Sequence, residues 1–151
     1  MRHPLTLAAA ALVALPLAAA EPPSPEAAEV VRVVTEAYVD GIHNYRDVAA
    51  IRAGFHPDFE MLVLRDGELS KMPLAKWIES IEARNQKEAP PARDTPRTTE
   101  ADFPQVSVTG DAAACIVELH RGGKQVFTDY LLLYRFPDGW KIVGKSFHRH
   151  A

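Results

Sequence analysis

Residues 128–148 read Thr-Asp-Tyr-Leu-Leu-Leu-Tyr-Arg-Phe-Pro-Asp-Gly-Trp-Lys-Ile-Val-Gly-Lys-Ser-Phe-His. Two runs rich in aromatic and branched side chains flank Asp138-Gly139, which predicts two β-strands joined by a tight turn. Residues 130–136 are apolar at nearly every position, so both faces of this strand need to be covered. We expect the helices of the chain to cover one face and a second copy of the protein to cover the other, as a homodimer.

Three amphipathic helices are predicted before this hairpin. Ser24-Pro25 combines a capping hydroxyl with a proline in the first turn, and it starts the first helix. The apolar positions of this helix are Ala27, Val30, Val31, Val34, Tyr38 and Ile42. A short second helix follows Asp47 as its cap and ends at Gly54. Pro73 opens the third helix, whose apolar positions are Leu74, Trp77, Ile78 and Ile81.

The remaining segments predict an antiparallel sheet. Besides the terminal hairpin, the predicted strands cover residues 59–65, 68–72, 103–109 and 112–120. Residues 86–101 are rich in proline and mixed in charge, which favours either a lid or a mobile loop. Helices followed by antiparallel strands indicate an α+β fold in which a curved sheet wraps around the helices.

The composition is that of a soluble globular protein. Charged residues make up 25 % and hydrophobic residues 47 % of the 151 residues, and the formal net charge is −3. The chain lacks the clustered Lys and Arg that binding to nucleic acid requires. The single cysteine, Cys115, excludes an internal disulfide. Because Cys115 lies in a strand-like run, we expect a small buried side chain without a catalytic role.

The first 20 residues predict a signal peptide that is not part of the fold. A basic start, Met1-Arg2-His3, precedes a charge-free run rich in Ala and Leu, and Ala18-Ala19-Ala20 supplies the small residues of a cleavage site. The run is too short to remain as a membrane anchor. We expect cleavage before Glu21, a single domain over residues 21–151, a periplasmic or secreted location, and no membrane association after removal of the signal.

Several segments together carry a family resemblance. They are Tyr-Val-Asp-Gly-Ile at 38–42, Phe-His-Pro-Asp at 55–58, the tryptophan of the third helix, and the terminal hairpin. Over about residues 25–148 the chain resembles the nuclear transport factor 2-like (NTF2-like) superfamily, and within it the small bacterial lumazine-binding and polyketide-cyclase-like (SnoaL-like) domains. The resemblance implies a cone-shaped α+β domain, a pocket between the helices and the concave side of the sheet, and a dimer through the other side.

The resemblance also allows a comparison with the ketosteroid-isomerase branch of the superfamily. Tyr38 falls where that branch has its oxyanion-hole tyrosine, whereas its base position falls at or near Val63 and its second acid at or near Leu132. Neither an isopropyl nor an isobutyl side chain can transfer a proton. The catalytic set of the isomerases is therefore absent from this sequence.

Tyr38 and His148 remain as candidate catalytic residues. Tyr38 lies on the apolar face of the first helix, and strand alternation groups His148 with Ile142, Gly144 and Ser146, on the side that the resemblance points at the pocket. The expected ligand-binding residues are Met61, Val63, Trp77, Ile81, Tyr130, Leu132 and Tyr134.

We expect no catalytic role for the other histidines. We expect His43 and His120 at the surface, and His56 in hydrogen bonds within its own turn. His148 and His150 could share a metal ion, but no third ligand stands at a recognisable spacing. Neither a metal nor a cofactor is therefore expected.

The sequence leaves three hypotheses for function. The first is an exported protein that binds a small apolar or aromatic molecule without turnover. The second is a cofactor-free lyase, isomerase or cyclase that uses Tyr38 and His148. The third is a structural or interaction module whose cone is filled by its own side chains. An open cavity favours the first two hypotheses. Asp129 shares alternation with Leu131 and Leu133, so it is expected in an ion pair or an edge contact on the dimer side.

Overall fold

The computed structural model describes residues 24–151. In chain order the elements are α1 (Pro25–Val34), a π-helical segment (Thr35–Asn44), α2 (Val48–Gly54), β1 (Phe55–Arg65), β2 (Glu68–Pro73), α3 (Leu74–Lys87), β3 (Glu100–Thr109), β4 (Ala112–Arg121), β5 (Lys124–Phe136) and β6 (Gly139–Arg149). The signal peptide and cleavage site expected at residues 1–21 lie outside the described residues.

The predicted helix starts are confirmed by their capping hydrogen bonds. The Ser24 hydroxyl accepts a hydrogen bond from the Ala27 amide at 3.1 Å at the start of α1. The Asp47 carboxylate does the same for the Ala50 amide at 3.0 Å at the start of α2. These bonds satisfy amide groups that have no partner within the helix, which fixes where each helix begins.

The first helix changes its winding halfway along. From Thr35 to Asn44 the chain is π-helical, and at the end of this segment the Tyr45 amide donates to the Asp40 carbonyl, five residues earlier, at 2.7 Å. A π-helix brings residues i and i+5 onto one face, whereas an α-helix brings i and i+3 or i+4 together. The sequence prediction assumed α-helical spacing throughout, so the direction of side chains after Thr35 differs from the expectation.

The sheet contains six strands in the order β2-β1-β6-β5-β4-β3. All neighbouring strands are antiparallel except β1 and β6, which run parallel. The sheet is therefore mixed, whereas the sequence predicted a purely antiparallel sheet. The helices pack on one face, here called the inner face, and the opposite face is called the outer face. The main buried side chains between helices and sheet include Val34, Tyr38, Ile51, Phe55, Phe59, Ile78, Val117, Leu119, Leu131, Leu133 and Ile142.

A β-bulge divides β6 into two halves. Leu132 is paired with Gly144 and Leu133 with Ile142, so Val143 has no partner on β5. One extra residue reverses the alternation of side chains beyond it. Ile142 therefore points to the inner face before the bulge, and Lys145 points there after it.

The faces of β5 are the reverse of those expected. Leu131 and Leu133 are each 1 % exposed and lie in the core, whereas Tyr130, Leu132 and Tyr134 are 50–56 % exposed on the outer face. Both alternating sets are apolar, so hydrophobicity alone could not decide which set faced the helices. The assignment of Leu131 and Leu133 to a dimer face was wrong.

The loop between α3 and β3 is held against the end of the π-helical segment. The buried Asn44 side chain accepts hydrogen bonds from the amides of Thr98 and Thr99 at 3.0 and 2.9 Å and donates to the Thr99 carbonyl at 3.0 Å. The Arg97 guanidinium makes two hydrogen bonds to the Asp40 carboxylate, at 2.8 and 2.7 Å. These contacts fix the C-terminal half of the loop to the helix.

Candidate functional site

A cavity of about 440 Å³ lies between the π-helical segment, α3 and the inner face of the sheet. We call it the inner cavity. Its lining residues are Tyr38, His43, Met61, Val63, Leu64, Arg65, Trp77, Phe127, Lys145, Phe147 and Arg149. The loop between α3 and β3 contributes no residue to this lining, so it does not cover the cavity in this conformation.

Three buried polar side chains meet at the wall of the inner cavity. The Lys145 ammonium lies 2.8 Å from one Asp129 carboxylate oxygen, and the Tyr38 hydroxyl donates a hydrogen bond to the other at 2.7 Å. Tyr38 and Asp129 are 0 % exposed and Lys145 is 7 % exposed. We call this group the Lys–Asp–Tyr cluster. A buried carboxylate needs such partners, because an unpaired charge in the interior is strongly destabilising.

Aromatic rings surround the ammonium group of this cluster. The Lys145 nitrogen lies 4.5 Å from the Phe147 ring centre, 4.9 Å from that of Tyr38 and 5.8 Å from that of Trp77. The Met61 sulfur is 3.9 Å from the same nitrogen. Cation–π contacts at these distances stabilise the charged form of the amine. The cavity wall therefore carries a fixed positive charge set among apolar groups.

Burial shifts the pKa values of these groups in opposite directions. It lowers the pKa of Lys145, an effect that the neighbouring Asp129 carboxylate opposes. Burial, followed by the charge of Asp129, raises the pKa of Tyr38 well above its usual value. Tyr38 is thus a hydrogen-bond donor at neutral pH and not a phenolate base.

His43 lies beside Tyr38 because the helix is π-helical there. The two rings are five residues apart and meet edge to face, with their centres 4.8 Å apart. The Arg121 guanidinium lies 3.0 Å from His43 Nδ1. A guanidinium can only donate, so Nδ1 accepts and the ring proton is on Nε2. Burial, followed by the charges of Lys145 and Arg121, lowers the pKa of His43 to about 3.

Comparison with known proteins identifies the family. The family model described as "Putative lumazine-binding" matches residues 26–148. The chain belongs to this family. Comparison with curated proteins gives no match.

Several solved structures similar to this family member are NTF2-like proteins. One from Silicibacter pomeroyi DSS-3, of unknown function, is 25 % identical, with 82 % of this chain and 94 % of that chain covered and a TM-score of 0.62. One from Shewanella baltica OS155, also of unknown function, is 21 % identical, with 82 % and 93 % covered and a TM-score of 0.62. One from Methylobacillus flagellatus KT is 22 % identical, with 82 % and 91 % covered and a TM-score of 0.59. The fold is NTF2-like, as the sequence motifs predicted.

Four of the residues named from the sequence line the inner cavity of this NTF2-like protein. They are Tyr38, Met61, Val63 and Trp77. Ile81 is 7 % exposed and belongs to the core beside the cavity. Met61 and Val63 alternate on one face of β1, and Trp77 lies on the apolar face of α3, so regular spacing groups these side chains within each element.

Tyr130, Leu132 and Tyr134 do not line the inner cavity. All three point from the outer face, where Tyr130 and Leu132 border a shallow depression with Leu62. The prediction that they line the ligand pocket was wrong, because Leu131 and Leu133 point inward and the alternating residues therefore point outward. The outer face instead presents a row of exposed apolar side chains.

His148 is also not in the inner cavity. Its side chain is exposed, and its ring centre lies 4.9 Å from that of His150. The expectation rested on unbroken alternation from Ile142, whereas the bulge at Val143 directs Phe147 inward and His148 outward. The proposed catalytic pairing of Tyr38 with His148 therefore has no common cavity in this structure.

Sequence reasoning missed Lys145, Asp129 and His43 as site residues. Asp129 is in an ion pair, as expected, but on the inner face and not on the dimer side. The signal that could have revealed this is the hairpin register, which pairs Asp129 with Phe147 and Leu131 with Lys145 across the Asp138-Gly139 turn. Two opposite charges within apolar neighbouring strands indicate a buried pair. No sequence pattern pointed to His43 as a site residue, because the sequence does not indicate where a helix becomes π-helical.

Three further observations concern Cys115, metal binding and membrane-spanning helices. Cys115 is 2 % exposed, as expected for a small buried side chain, and burial raises its thiol pKa to about 12. Among residues 24–151, no three His, Cys, Asp or Glu side chains come together as a metal site requires. Within the same residues, no helix is both long enough and apolar enough to cross a membrane.

Proposed function

We propose that this protein binds a small molecule with an apolar or aromatic body in the inner cavity. The supporting observation is a cavity of about 440 Å³ with Met61, Val63 and Trp77 in its wall and a buried charged group at one side. Ligand sites in proteins combine apolar walls with a few fixed polar groups in this way. The family description points in the same direction.

Binding without turnover is favoured over catalysis. The Tyr38 hydroxyl is committed to Asp129, and its raised pKa makes it a poor base. The ammonium of Lys145 is held by the same carboxylate and by aromatic rings. Because Tyr38 and Lys145 both contact the Asp129 carboxylate, the cluster resembles a fixed recognition element more than a proton-transfer pair.

Two further proposals concern the setting of this function. Export is supported by the signal-peptide pattern of residues 1–20, and N-terminal sequencing of the mature protein should begin at or near Glu21. A homodimer through the outer face is supported by the exposed row of Tyr130, Leu132 and Tyr134.

Native mass spectrometry of protein purified from its own cells tests the binding function. We expect wild-type protein to carry an additional small mass that is lost on collisional activation. Val63→Trp, which should fill the cavity, should remove this mass, whereas Leu62→Trp on the opposite side of the same strand should retain it. A ligand-free wild-type spectrum, or a ligand retained in Val63→Trp, would contradict the proposal.

A further inference from the structure

We propose that the ligand of the inner cavity is an aromatic carboxylate, whose carboxylate lies between Arg65 and Arg149 at the cavity mouth. The proposal rests on the proposed function, because it names the chemical class that the same cavity selects. Its basis is the charge of the lining, the presence of two arginines in that lining, and the hydrogen-bond donors that the cavity walls present.

The lining of the inner cavity carries positive charges only. Arg65, Lys145 and Arg149 contribute cations, and among the described lining residues there is no Asp or Glu. Asp129 lies behind Lys145 and offsets that one charge. The lining together with Asp129 therefore has an excess of about two positive charges, which favours an anion over a neutral or cationic ligand.

Arg65 is the last residue of β1 and Arg149 the last residue of β6, and these two strands run parallel in the sheet. Met61 of β1 is in register with Lys145 of β6, and each arginine lies four residues further along its strand. Both line the cavity, and neither makes an ion pair with any residue from 24 to 151. Like charges that line the same cavity repel each other. A carboxylate between them would relieve this repulsion and could accept hydrogen bonds from both guanidinium groups.

The interior of the cavity offers donors to the rest of the ligand. The Lys145 ammonium has three N–H groups, of which one faces Asp129 and one the weakly accepting sulfur of Met61. His43 Nε2, which carries the ring proton, is buried without a hydrogen-bond partner among the described residues. A ligand with a carbonyl or hydroxyl oxygen opposite its carboxylate would satisfy the remaining ammonium N–H.

The walls between the mouth and the cluster suit a flat apolar body. Trp77, Phe127 and Phe147 contribute rings, and Met61 and Val63 contribute aliphatic surface. Aromatic side chains bind planar rings by stacked or edge-to-face contacts. A planar ring system with a carboxylate at one end matches both the walls and the mouth.

A matched pair of probes tests this assignment. We would measure dissociation constants of 2-naphthoate and of its neutral counterpart 2-naphthalenemethanol by calorimetry, at low and high salt, with the full mature protein. We expect 2-naphthoate to bind about tenfold more tightly, with a preference that decreases as salt screens the arginines. Arg65→Gln and Arg149→Gln should each reduce this preference several-fold, while 2-naphthalenemethanol should bind the variants as it binds the wild type.

Controls separate this proposal from the proposed function. Arg52→Gln removes an exposed cation from α2, outside the cavity lining, and should leave both affinities unchanged. Two outcomes would overturn the carboxylate assignment: equal affinities for the two probes, or a preference that survives in the Arg65→Gln/Arg149→Gln double variant. Small-molecule binding would still stand in either case, provided that Val63→Trp blocks both probes. Failure of both probes to bind, or binding that Val63→Trp does not affect, would overturn the proposed function together with the assignment.

Discussion

The rings of Tyr38 and His43 meet edge to face, with their centres 4.8 Å apart, although His43 lies five positions after Tyr38 in the chain. The π-helical winding of Thr35–Asn44 produces this contact. In an α-helix, residue 43 would lie well off the face that carries residue 38. The short π-helical segment therefore supplies the inner cavity with an imidazole that an α-helix would direct elsewhere. π-helical turns are frequent at functional sites for this kind of reason.

His43 should make the protein less stable as the pH falls from 7 to 5. Burial lowers the pKa of His43 to about 3, whereas its pKa in the unfolded chain is about 6.5, so between these values the unfolded state binds more protons. Protonation of the unfolded state then favours unfolding, by about 1–2 kcal/mol at pH 5. Urea denaturation at both pH values measures the effect. His43→Gln, which keeps an acceptor for Arg121, should reduce the difference, and an unchanged difference would show that another group is responsible.

Tyr38→Phe should lower the free energy of unfolding by about 2 kcal/mol. It removes the hydrogen bond that the Tyr38 hydroxyl donates to the buried Asp129 carboxylate at 2.7 Å, and bonds to charged groups are the stronger class. Urea denaturation at pH 7 provides the measurement. Tyr130→Phe, at an exposed position of the outer face, is the matched control and should change the free energy by less than about 0.5 kcal/mol. Equal effects of the two substitutions would contradict the importance of the cluster.

Gly54→Ala should destabilise the protein although alanine is the better helix former. A Cβ at residue 54 would lie 2.3 Å from the Ala37 Cβ, closer than two carbon atoms can approach. Overpacking of this kind costs about 1–3 kcal/mol and exceeds the gain in helix propensity, which is about 1 kcal/mol. The double variant Gly54→Ala/Ala37→Gly removes the clash and should be more stable than the sum of the two single effects predicts. If the stability change of the double variant in thermal denaturation equals the sum of the two single changes, the helices move apart without losing stability and the clash is unimportant.

Asn44→Ala should loosen the loop between α3 and β3. The substitution leaves the amides of Thr98 and Thr99 without their acceptor, and at least the buried Thr99 amide then lacks a partner. We expect a loss of at least about 2 kcal/mol and faster cleavage between residues 88 and 98 in limited proteolysis. Arg93→Gln, which breaks a partly exposed ion pair with Asp47, should have a much smaller effect. Proteolysis that is equally slow in both variants would indicate that other contacts hold the loop.

Leu132→Glu should disrupt the proposed dimer without unfolding the protomer. Leu132 is 56 % exposed in the middle of the outer face, so a carboxylate is tolerated in a monomer but not in an apolar interface. Light scattering at micromolar concentration should show a wild-type dimer and a monomeric variant. Leu69→Glu, at a 65 % exposed position on the edge strand β2, is the control and should remain dimeric. A monomeric wild-type protein would contradict the interface.

The sequence alone was sufficient to predict the order of elements, the helix caps and the α+β class. These features depend on local chemistry: the Ser24 and Asp47 caps satisfy amides within their own first turns, and the Asp66-Gly67 turn has φ values of 51° and 82° that few other residue pairs adopt. The apolar spacing of α3 likewise grouped Trp77 with Leu74 and Ile78 on one face of the helix. Each of these conclusions requires only neighbours along the chain.

Which face each residue of the terminal hairpin takes was decided by the tertiary structure. Both alternating sets of β5 are apolar, so only the packing of helices against the sheet selects Leu131 over Leu132 for the core. The bulge at Val143 then exchanges the directions of Lys145 and His148, and the π-helical winding brings His43 beside Tyr38. A single unpaired residue in a strand, or a wider turn in a helix, does not alter the sequence pattern. It changes the direction of every later side chain in that element, because each residue's direction depends on the backbone before it. The elements could therefore be predicted from local sequence, whereas the chemistry of the inner cavity depends on how their backbones pair.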